Sequence, residues 1–294
     1  MTYPRELREN TRLEEKTFPF YPFVNSSPDG KAGQTILYLH WHEHLEIIMM
    51  RQGHAVFHID SVPYEASEGD VLFVPAGSLH VGYCRHDGPT QFVSVVFNAA
   101  LFGDRAHDPL HVQFVAPCLE GKRPIPVRPD AVLSPVRAHY ALLDEALQEF
   151  RDKKPAYQLV IKSKLHLLFT LLARELQPLR TPPGPKEGQA FNRELFKPLI
   201  QHIETHFAEK LTVAEAAKRV NMNPYHFCKT FKKLTGRTFV EFVNACRANE
   251  AERLLLETDK SVTEIAGLVG CDNPNYFARL FKQYKGVAPT KLRG

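Results

Sequence analysis

Residues 211–293 contain one pattern of residue types twice, and this internal repeat limits the possible folds more than any other feature of the chain. TVAEAAKRV at residues 212–220 is matched by SVTEIAGLV at residues 261–269, and PYHFCKTFK at residues 224–232 is matched by PNYFARLFK at residues 274–282. A glycine follows each copy, at Gly236 and Gly286. The repeat predicts two similar structural units in tandem.

Each copy predicts a helix, a tight turn and a second helix. Thr212-x-x-Glu215 and Ser261-x-x-Glu264 have the spacing of a capping box, in which hydroxyl and carboxylate satisfy the first free amides of a helix. An Asn-Pro pair follows in each copy, at residues 223–224 and 273–274, and places a capping side chain and a proline where the next helix starts. Two helix-turn-helix units are therefore predicted.

The second helix of each unit has one apolar and one polar face. The apolar positions predicted to be buried are Phe227, Phe231, Leu234, Phe277, Leu280, Phe281 and Tyr284. The opposite faces carry side chains that donate to phosphates and base edges, and these are the predicted DNA-binding residues: Tyr225, His226, Lys229, Thr230, Lys233, Asn275, Arg279, Lys282 and Gln283.

Charge favours a nucleic-acid partner over the alternative, a helical repeat whose basic face is merely solvated. From Phe191 onward, 17 lysines and arginines stand against 11 acidic residues, whereas the rest of the chain has an acidic excess of two. We therefore expect this segment to bind DNA.

Residues 191–294 resemble the DNA-binding domain of the AraC/XylS family of bacterial transcription regulators. The resemblance includes Arg247-x-x-x-Ala251-x-x-Leu254-Leu255, Ile265-Ala266, Tyr276-Phe277-x-Arg279-x-Phe281-Lys282, Gly286 and Pro289. Cys271 stands where the family usually has Phe, and Lys229 where it usually has Arg. The resemblance implies binding to double-stranded operator DNA and activation through RNA polymerase, often at genes of carbohydrate use.

The N-terminal part of the chain has a period of two from Gln34 onward. Short strands are predicted at residues 35–39, 45–50, 55–60, 62–66, 71–74, 79–84 and 91–98, with Gly- and Pro-containing turns between them. Such spacing predicts a sandwich or barrel. Residues 1–30 are predicted to form an arm, and Phe18, Phe20, Tyr21 and Phe23 within it are candidates for a moving cover over a ligand pocket. An arm that simply packs on the barrel is the alternative.

Two clusters resemble the cupin motifs. His40-Trp-His42-x-x-x-Glu46 with Gly53 is similar to the first motif, and Gly69 with Pro75-x-Gly77-x-x-His80 is similar to the second. Cys84 replaces the usual closing Asn, and the usual glycine before the first motif is absent. We call His40, His42, Glu46 and His80 the His/Glu quartet.

The His/Glu quartet has two interpretations. Three imidazoles and a carboxylate suit a divalent transition metal such as Zn, Fe, Mn or Ni. Alternatively, regulators of the resembled family often use such residues to bind a sugar or another small polar effector without a metal. Both interpretations make these four residues the candidate ligand-binding site, and the sequence favours the organic effector.

Two predicted helices and a linker lie between the β domain and the DNA-binding domain. Helices predicted at residues 131–150 and 156–177 carry more apolar surface than one barrel can cover, so they are expected to form a homodimer interface, as the resemblance also implies. An intramolecular helix pair that buries this surface is the alternative. Residues 179–190 are rich in proline and predict a linker.

These predictions define an α+β chain of two domains. A cupin-like β-barrel with an N-terminal arm spans residues 1–130, a helical dimerisation segment 131–178, the linker 179–190, and an all-α double helix-turn-helix domain 191–294. The function expected is a transcription regulator controlled by a small polar effector, a sugar being the first candidate. The rival hypothesis is a metal-dependent cupin enzyme fused to a DNA-binding module.

Composition argues against a membrane-spanning or secreted protein. No apolar run reaches the length of a membrane span, and the charged N-terminus lacks the apolar region of a signal peptide. The five cysteines are scattered, at positions 84, 118, 228, 246 and 271, which favours reduced thiols in a cytoplasmic protein.

Overall fold

A computed structural model describes Glu9, Leu13 and residues 17–133, 136–177 and 187–292, with the side chains of the last range described from residue 195 onward. Eight antiparallel strands form two four-stranded sheets, ordered β1-β8-β3-β6 and β2-β7-β4-β5. The strands are β1 Phe20–Gly30, β2 Thr35–His40, β3 Leu45–Gln52, β4 His54–Ile59, β5 Val62–Ser67, β6 Val71–Val74, β7 His80–Cys84 and β8 Gly88–Phe97.

The two sheets enclose a shared apolar core, which confirms the predicted cupin-like β domain. Ile48 and Leu72 of the first sheet and Phe57 of the second are completely buried in one cluster. Seven of the eight strands begin and end within three residues of their predicted bounds.

Strand β1 corrects the prediction of an arm over residues 1–30. It pairs with β8 from Phe20↔Phe97 onward and lies at the edge of its sheet. Pro22 has no amide hydrogen to donate, and an edge strand tolerates this because one of its sides needs no partner. Phe20 is buried in the core and contacts Phe150, so it is a fixed part of the domain rather than a moving cover.

Irregular turns and two helices cover the outer face of the first sheet. Short helices occupy Ala99–Arg105, His111–Val115 and, as α1, Ala116–Leu119, and they bury Phe102, Val115 and Leu119 against the long helices. Helix α2 (Ala141–Asp152) begins ten residues later than the predicted start at 131, after 3-10 turns at Pro129–Ala131 and Val136–Tyr140. Pro129, which lacks the amide needed inside a helix, lies in the first of these turns.

Helix α3 (Tyr157–Leu176) matches its predicted position. Its Ile161, Leu165, Phe169 and Leu172 are buried against the first sheet and α2. Residues 178–186, which include most of the predicted linker, lie outside the described residues. The linker was predicted to reach residue 190, but helix α4 (Glu187–His206) already begins at Glu187, and Pro198 lies inside it.

The C-terminal domain has the predicted two units. Helices α5 (Val213–Arg219) and α6 (Pro224–Thr235) form the first, α7 (Phe239–Glu257) joins them, and α8 (Val262–Leu268) and α9 (Pro274–Lys285) form the second, followed by α10 (Pro289–Leu292). Both predicted capping boxes are present, and a third, Thr238 with Glu241, starts α7. Phe227, Phe231, Phe277 and Phe281 are completely buried, whereas Tyr284 is only half-buried.

The second sheet of the cupin-like domain packs against the first helix-turn-helix unit. Leu39, Leu79 and Val81 share an apolar cluster with Phe196 and Phe231 of the C-terminal helices. Tyr83 Oη donates a 2.6 Å hydrogen bond to the carbonyl oxygen of Thr235, at the C-terminal end of α6. The two domains are therefore in direct contact.

Gly236, the residue after Thr235, permits this approach. It has a φ of 74° and ends α6 in the left-handed conformation. A Cβ atom here would lie 2.7 Å from Cε2 of Tyr83, closer than side chains tolerate. Glycine therefore meets both a backbone and a packing requirement at this position.

Candidate effector site and nucleic-acid interface

The His/Glu quartet assembles as predicted, from both sheets. His40 ends β2 and is paired with His80, the first residue of β7, while Glu46 comes from β3 of the opposite sheet and His42 from the turn between β2 and β3. One ligand atom from each lies within 4.8 Å of every other, and all four residues are buried. The site is therefore in the interior of the β domain.

Backbone carbonyl groups fix the orientation of all three imidazoles. His40 Nδ1–H donates to Tyr38 O at 2.7 Å, His42 Nδ1–H to His44 O at 3.1 Å, and His80 Nδ1–H to Ser78 O at 2.9 Å. A carbonyl oxygen can only accept, so each Nδ1 carries the proton and each neutral ring presents its Nε2 lone pair to the site. This outer hydrogen bond is the usual companion of a metal-binding histidine.

The Nε2 atoms face carboxylate oxygens, which also accept hydrogen bonds. His42 Nε2 and His80 Nε2 both lie 3.0 Å from Glu46 Oε2, and Glu46 Oε1 is buried with no hydrogen-bond partner among the described residues. Two acceptors at this distance require a proton or another cation between them. The donor atoms present thus fit a divalent transition metal, which would take the place of these protons.

Electrostatics hold Glu46 ionised in this setting. Burial opposes its charge, but the neighbouring His80, and then His42, outweigh burial and keep the pKa of Glu46 well below its usual value. Burial likewise opposes the charged form of His80, yet Glu46 raises the pKa of that imidazole. Burial, then the neighbouring His80, hold the pKa of His40 well below its usual value.

Glu9 is a fifth group at the site that sequence reasoning missed. Its Oε2 lies 3.3 Å from His40 Nε2, and its backbone N–H donates to Trp41 O at 2.9 Å. Desolvation, followed by the charges of the quartet, raises the pKa of Glu9. Glu9 lies in a proline- and charge-rich segment with no periodic pattern, so no spacing signal could have identified it.

The three further histidines of this region differ from one another. His44 is buried, with Asn98 Nδ2 3.1 Å from its Nδ1. His54 is exposed and lies 3.0 Å from Ser67 Oγ. His58 is half-buried near Tyr83 and the end of α6. None of the three belongs to the converging donor set.

The predicted DNA-binding residues lie on exposed sides of α6 and α9. Eight of the nine side chains are exposed, and Thr230 is half-buried. The caps predicted for these helices are present: Asn223 Oδ1 accepts from His226 N at 2.9 Å, and Asn273 Oδ1 accepts from Asn275 N at 2.9 Å. The two helices thus present basic and amide side chains at their free faces.

Comparison with known proteins agrees with this geometry. A family model described as a helix-turn-helix domain matches residues 216–294, and one described as a cupin domain matches residues 29–96. The chain contains an AraC-type helix-turn-helix domain and a cupin domain, and its relatives include transcription regulators of the AraC family.

Three curated relatives illustrate the extent of the similarity. The bifunctional transcriptional activator/DNA repair enzyme AdaA of Bacillus subtilis is 38% identical over 95 residues, or 32% of this chain and 45% of that protein. The MmsAB operon regulatory protein of Pseudomonas aeruginosa is 29% identical over 234 residues, covering 78% of this chain and 67% of that protein. The HTH-type transcriptional activator RhaS of Citrobacter koseri is 24% identical over 288 residues, covering 92% and 95%.

The match to AdaA thus spans less than half of that relative. Of these three relatives, RhaS is matched over nearly its whole length, and it is named a transcriptional activator. Among the described residues, no helix is both long and apolar enough to cross a membrane.

Proposed function

We propose that this chain is a transcription regulator of the AraC/XylS family whose affinity for operator DNA depends on what binds the His/Glu quartet. We further propose that the occupant is a divalent transition-metal ion. One observation carries the second proposal: all three imidazoles donate through Nδ1 to backbone carbonyls and present Nε2 to carboxylate oxygens. When bound, the metal would be held by His40, His42, Glu46 and His80 and would replace the protons that those contacts otherwise require.

The arrangement of β2 and β7 supports a route from the site to the DNA-binding domain. His40 and His80 point into the β domain, whereas their neighbours Trp41 and Val81 point outward to the C-terminal helices. Lys197 of α4 has its Nζ 3.7 Å from the centroid of the Trp41 ring. If a ligand binds more tightly to one arrangement of β2 and β7 than to another, it will favour the domain contact that goes with that arrangement.

A sugar or other small polar organic effector stays a prediction. Its hydroxyl groups could bind the same imidazoles and carboxylate, with or without the metal. Homodimerisation through α2 and α3, and contact with RNA polymerase at a promoter, likewise stay predictions that resemblance to the family supports. The rival hypothesis of a cupin enzyme would require turnover of a substrate by the purified protein.

The test of the proposed function measures metal content and DNA affinity in the same preparations. Wild-type protein, His42→Ala and the matched control His54→Ala are purified without an affinity tag or chelator, and their metal is quantified by elemental analysis. We expect about one metal ion per chain in the wild type and the control, and none in His42→Ala, because only His42 belongs to the donor set.

DNA affinity is then measured by gel shift on a site selected from a random library, before and after the metal is removed with a chelator. The proposal expects affinity to change on metal removal in the wild type and to recover on reloading. Protein that takes up no stoichiometric metal after incubation with Zn²⁺, Mn²⁺, Ni²⁺ or Co²⁺ would contradict the metal site. Metal binding with unchanged DNA affinity would contradict the regulatory role.

A further inference from the structure

Glu9 lies beside the His/Glu quartet although it belongs to none of the strands that build the site. Its carboxylate Oε2 is 3.3 Å from His40 Nε2, and its N–H group bonds to the carbonyl of Trp41, the residue between two histidines of the quartet. Leu13, four residues further on, is completely buried. Glu9 is thus held at the site by its own backbone and by a buried neighbour.

The contact between Glu9 and His40 has the same character as the contacts inside the quartet. His40 Nδ1–H donates to Tyr38 O, so the neutral ring turns an unprotonated Nε2 toward the carboxylate. The Nε2 atoms of His42 and His80 face Glu46 Oε2 in the same way, each at 3.0 Å. One shared cation satisfies all of these acceptors together.

The charge of the site also involves Glu9. A divalent ion with three neutral imidazoles and one carboxylate leaves a net positive charge in a buried location, and an uncompensated buried charge is costly. A second carboxylate makes the same site neutral. Glu9 is the carboxylate placed to do this, because its Oε2 lies 3.3 Å from His40 Nε2 and its side chain is 37% exposed. Its carboxylate lies outside the four-residue group whose ligand atoms converge within 4.8 Å, so it would have to turn inward to bind the ion.

We propose that Glu9 is a fifth protein donor to the metal ion, giving a site of three imidazole nitrogens and two carboxylates. This inference rests on the proposed metal-binding function of the quartet. Under this proposal Glu9, which lies outside both cupin-like motifs, contributes to the affinity and the coordination number of the bound ion.

Titration with Co²⁺ tests the inference, because visible absorption of Co²⁺ reports both binding and coordination number. Metal-free wild type, Glu9→Gln and the matched control Glu43→Gln are titrated in competition with a chelator. Glu43 is an exposed carboxylate in the turn that carries His42, so its substitution removes the same charge nearby. Circular dichroism of each metal-free protein checks that the fold is retained.

We expect Glu9→Gln to bind Co²⁺ at least about tenfold more weakly than the wild type. Removing even a hydrogen-bond partner of a metal ligand weakens metal binding by about tenfold or more. Its bound Co²⁺ should also absorb more strongly, because four-coordinate Co²⁺ absorbs more than five-coordinate Co²⁺. Glu43→Gln should match the wild type in both respects.

Equal affinity and equal spectra for Glu9→Gln and the wild type would overturn the role of Glu9. If the wild type and Glu9→Gln bind Co²⁺ equally and His42→Ala holds no metal in the elemental analysis described above, the quartet stands as a metal site without Glu9. If the wild type itself binds no Co²⁺, the metal proposal and this inference both fail.

Discussion

Lys229 and Arg279 occupy equivalent positions in the two recognition helices, five residues after the prolines that start α6 and α9. Both side chains are exposed. Arginine can donate to guanine through two parallel hydrogen bonds, whereas lysine acts as a point charge. The two DNA segments that one chain contacts through α6 and α9 are therefore expected to be recognised by different chemistry.

Substitution of either residue by alanine should weaken operator binding by about 1–3 kcal/mol if the side chain contacts a base. If it contacts only phosphate, the loss should be similar on all sequences and the salt dependence of binding should become less steep. Gel-shift titrations at several fixed salt concentrations measure both quantities. The control is Lys260→Ala, an exposed lysine before α8. Unchanged affinity in both variants would contradict this docking face.

The residues of the His/Glu quartet were predictable because a short motif with a strict spacing carries them. The period of two placed His40 on an inward position, and a second motif supplied His80. The sequence could not show that Glu46 comes from the opposite sheet, since strand order is set by long-range pairing. Glu9 had no motif at all, and only its approach to His40 identifies it.

At the scale of elements, turn and cap chemistry predicted the most, and the proline-containing edge strand β1 was missed. The capping box of Thr238 and Glu241 follows the same pattern as the two that were predicted, and sequence alone could have identified it. Strand β1 was missed because Pro22 and Pro28 lower the strand propensity of residues 20–30. Only pairing with β8 makes those residues a strand.

Helix α3 combines a buried face with an incompletely covered one. Leu159 and Leu167 are 63% and 47% exposed. Together with Leu142 and Val160 they line a shallow groove of about 530 Å³ between α2 and α3. The intramolecular helix pair, which was the alternative to a dimer interface, therefore buries most of the apolar surface of α3. We expect a second copy of the chain to cover the groove that is left.

The double variant Leu159→Glu with Leu167→Glu should convert a dimer into monomers, because it would bury four charges at the two-fold interface. Sedimentation velocity at micromolar concentration measures the change. Leu110→Glu serves as the matched control, since Leu110 is 66% exposed and lies outside the groove. A wild type that is monomeric across this range would contradict a dimer built on α3.

At the scale of the whole molecule, the contact between domains was beyond sequence reasoning. Tyr83 and Thr235 are 152 positions apart and belong to no shared motif. Burial raises the pKa of Tyr83 to about 12, with Arg237 acting against burial, so the phenol stays a hydrogen-bond donor. Arg237 also donates to Thr35 Oγ1 at 2.6 Å, which adds a second polar contact across the same boundary.

Tyr83→Phe should reduce the difference in DNA affinity between metal-loaded and metal-free protein, while metal affinity stays at the wild-type value. The substitution removes one hydrogen bond worth about 0.5–1.5 kcal/mol and keeps the packing of the ring. Gel shifts with and without metal measure the difference, and Tyr64→Phe on β5 is the control. If Tyr83→Phe retains the full difference, the domains communicate by another route.

The two faces of β2 and β7 also restrict how this sensor can diverge from its relatives. Inserting or deleting one residue within either strand would turn its inward side chains outward and its outward ones inward. His40 and Trp41, or His80 and Val81, would then exchange sides together. New effector preferences can therefore arise by replacing side chains or by lengthening the turns, but a change of length inside these strands would alter recognition and communication in one step.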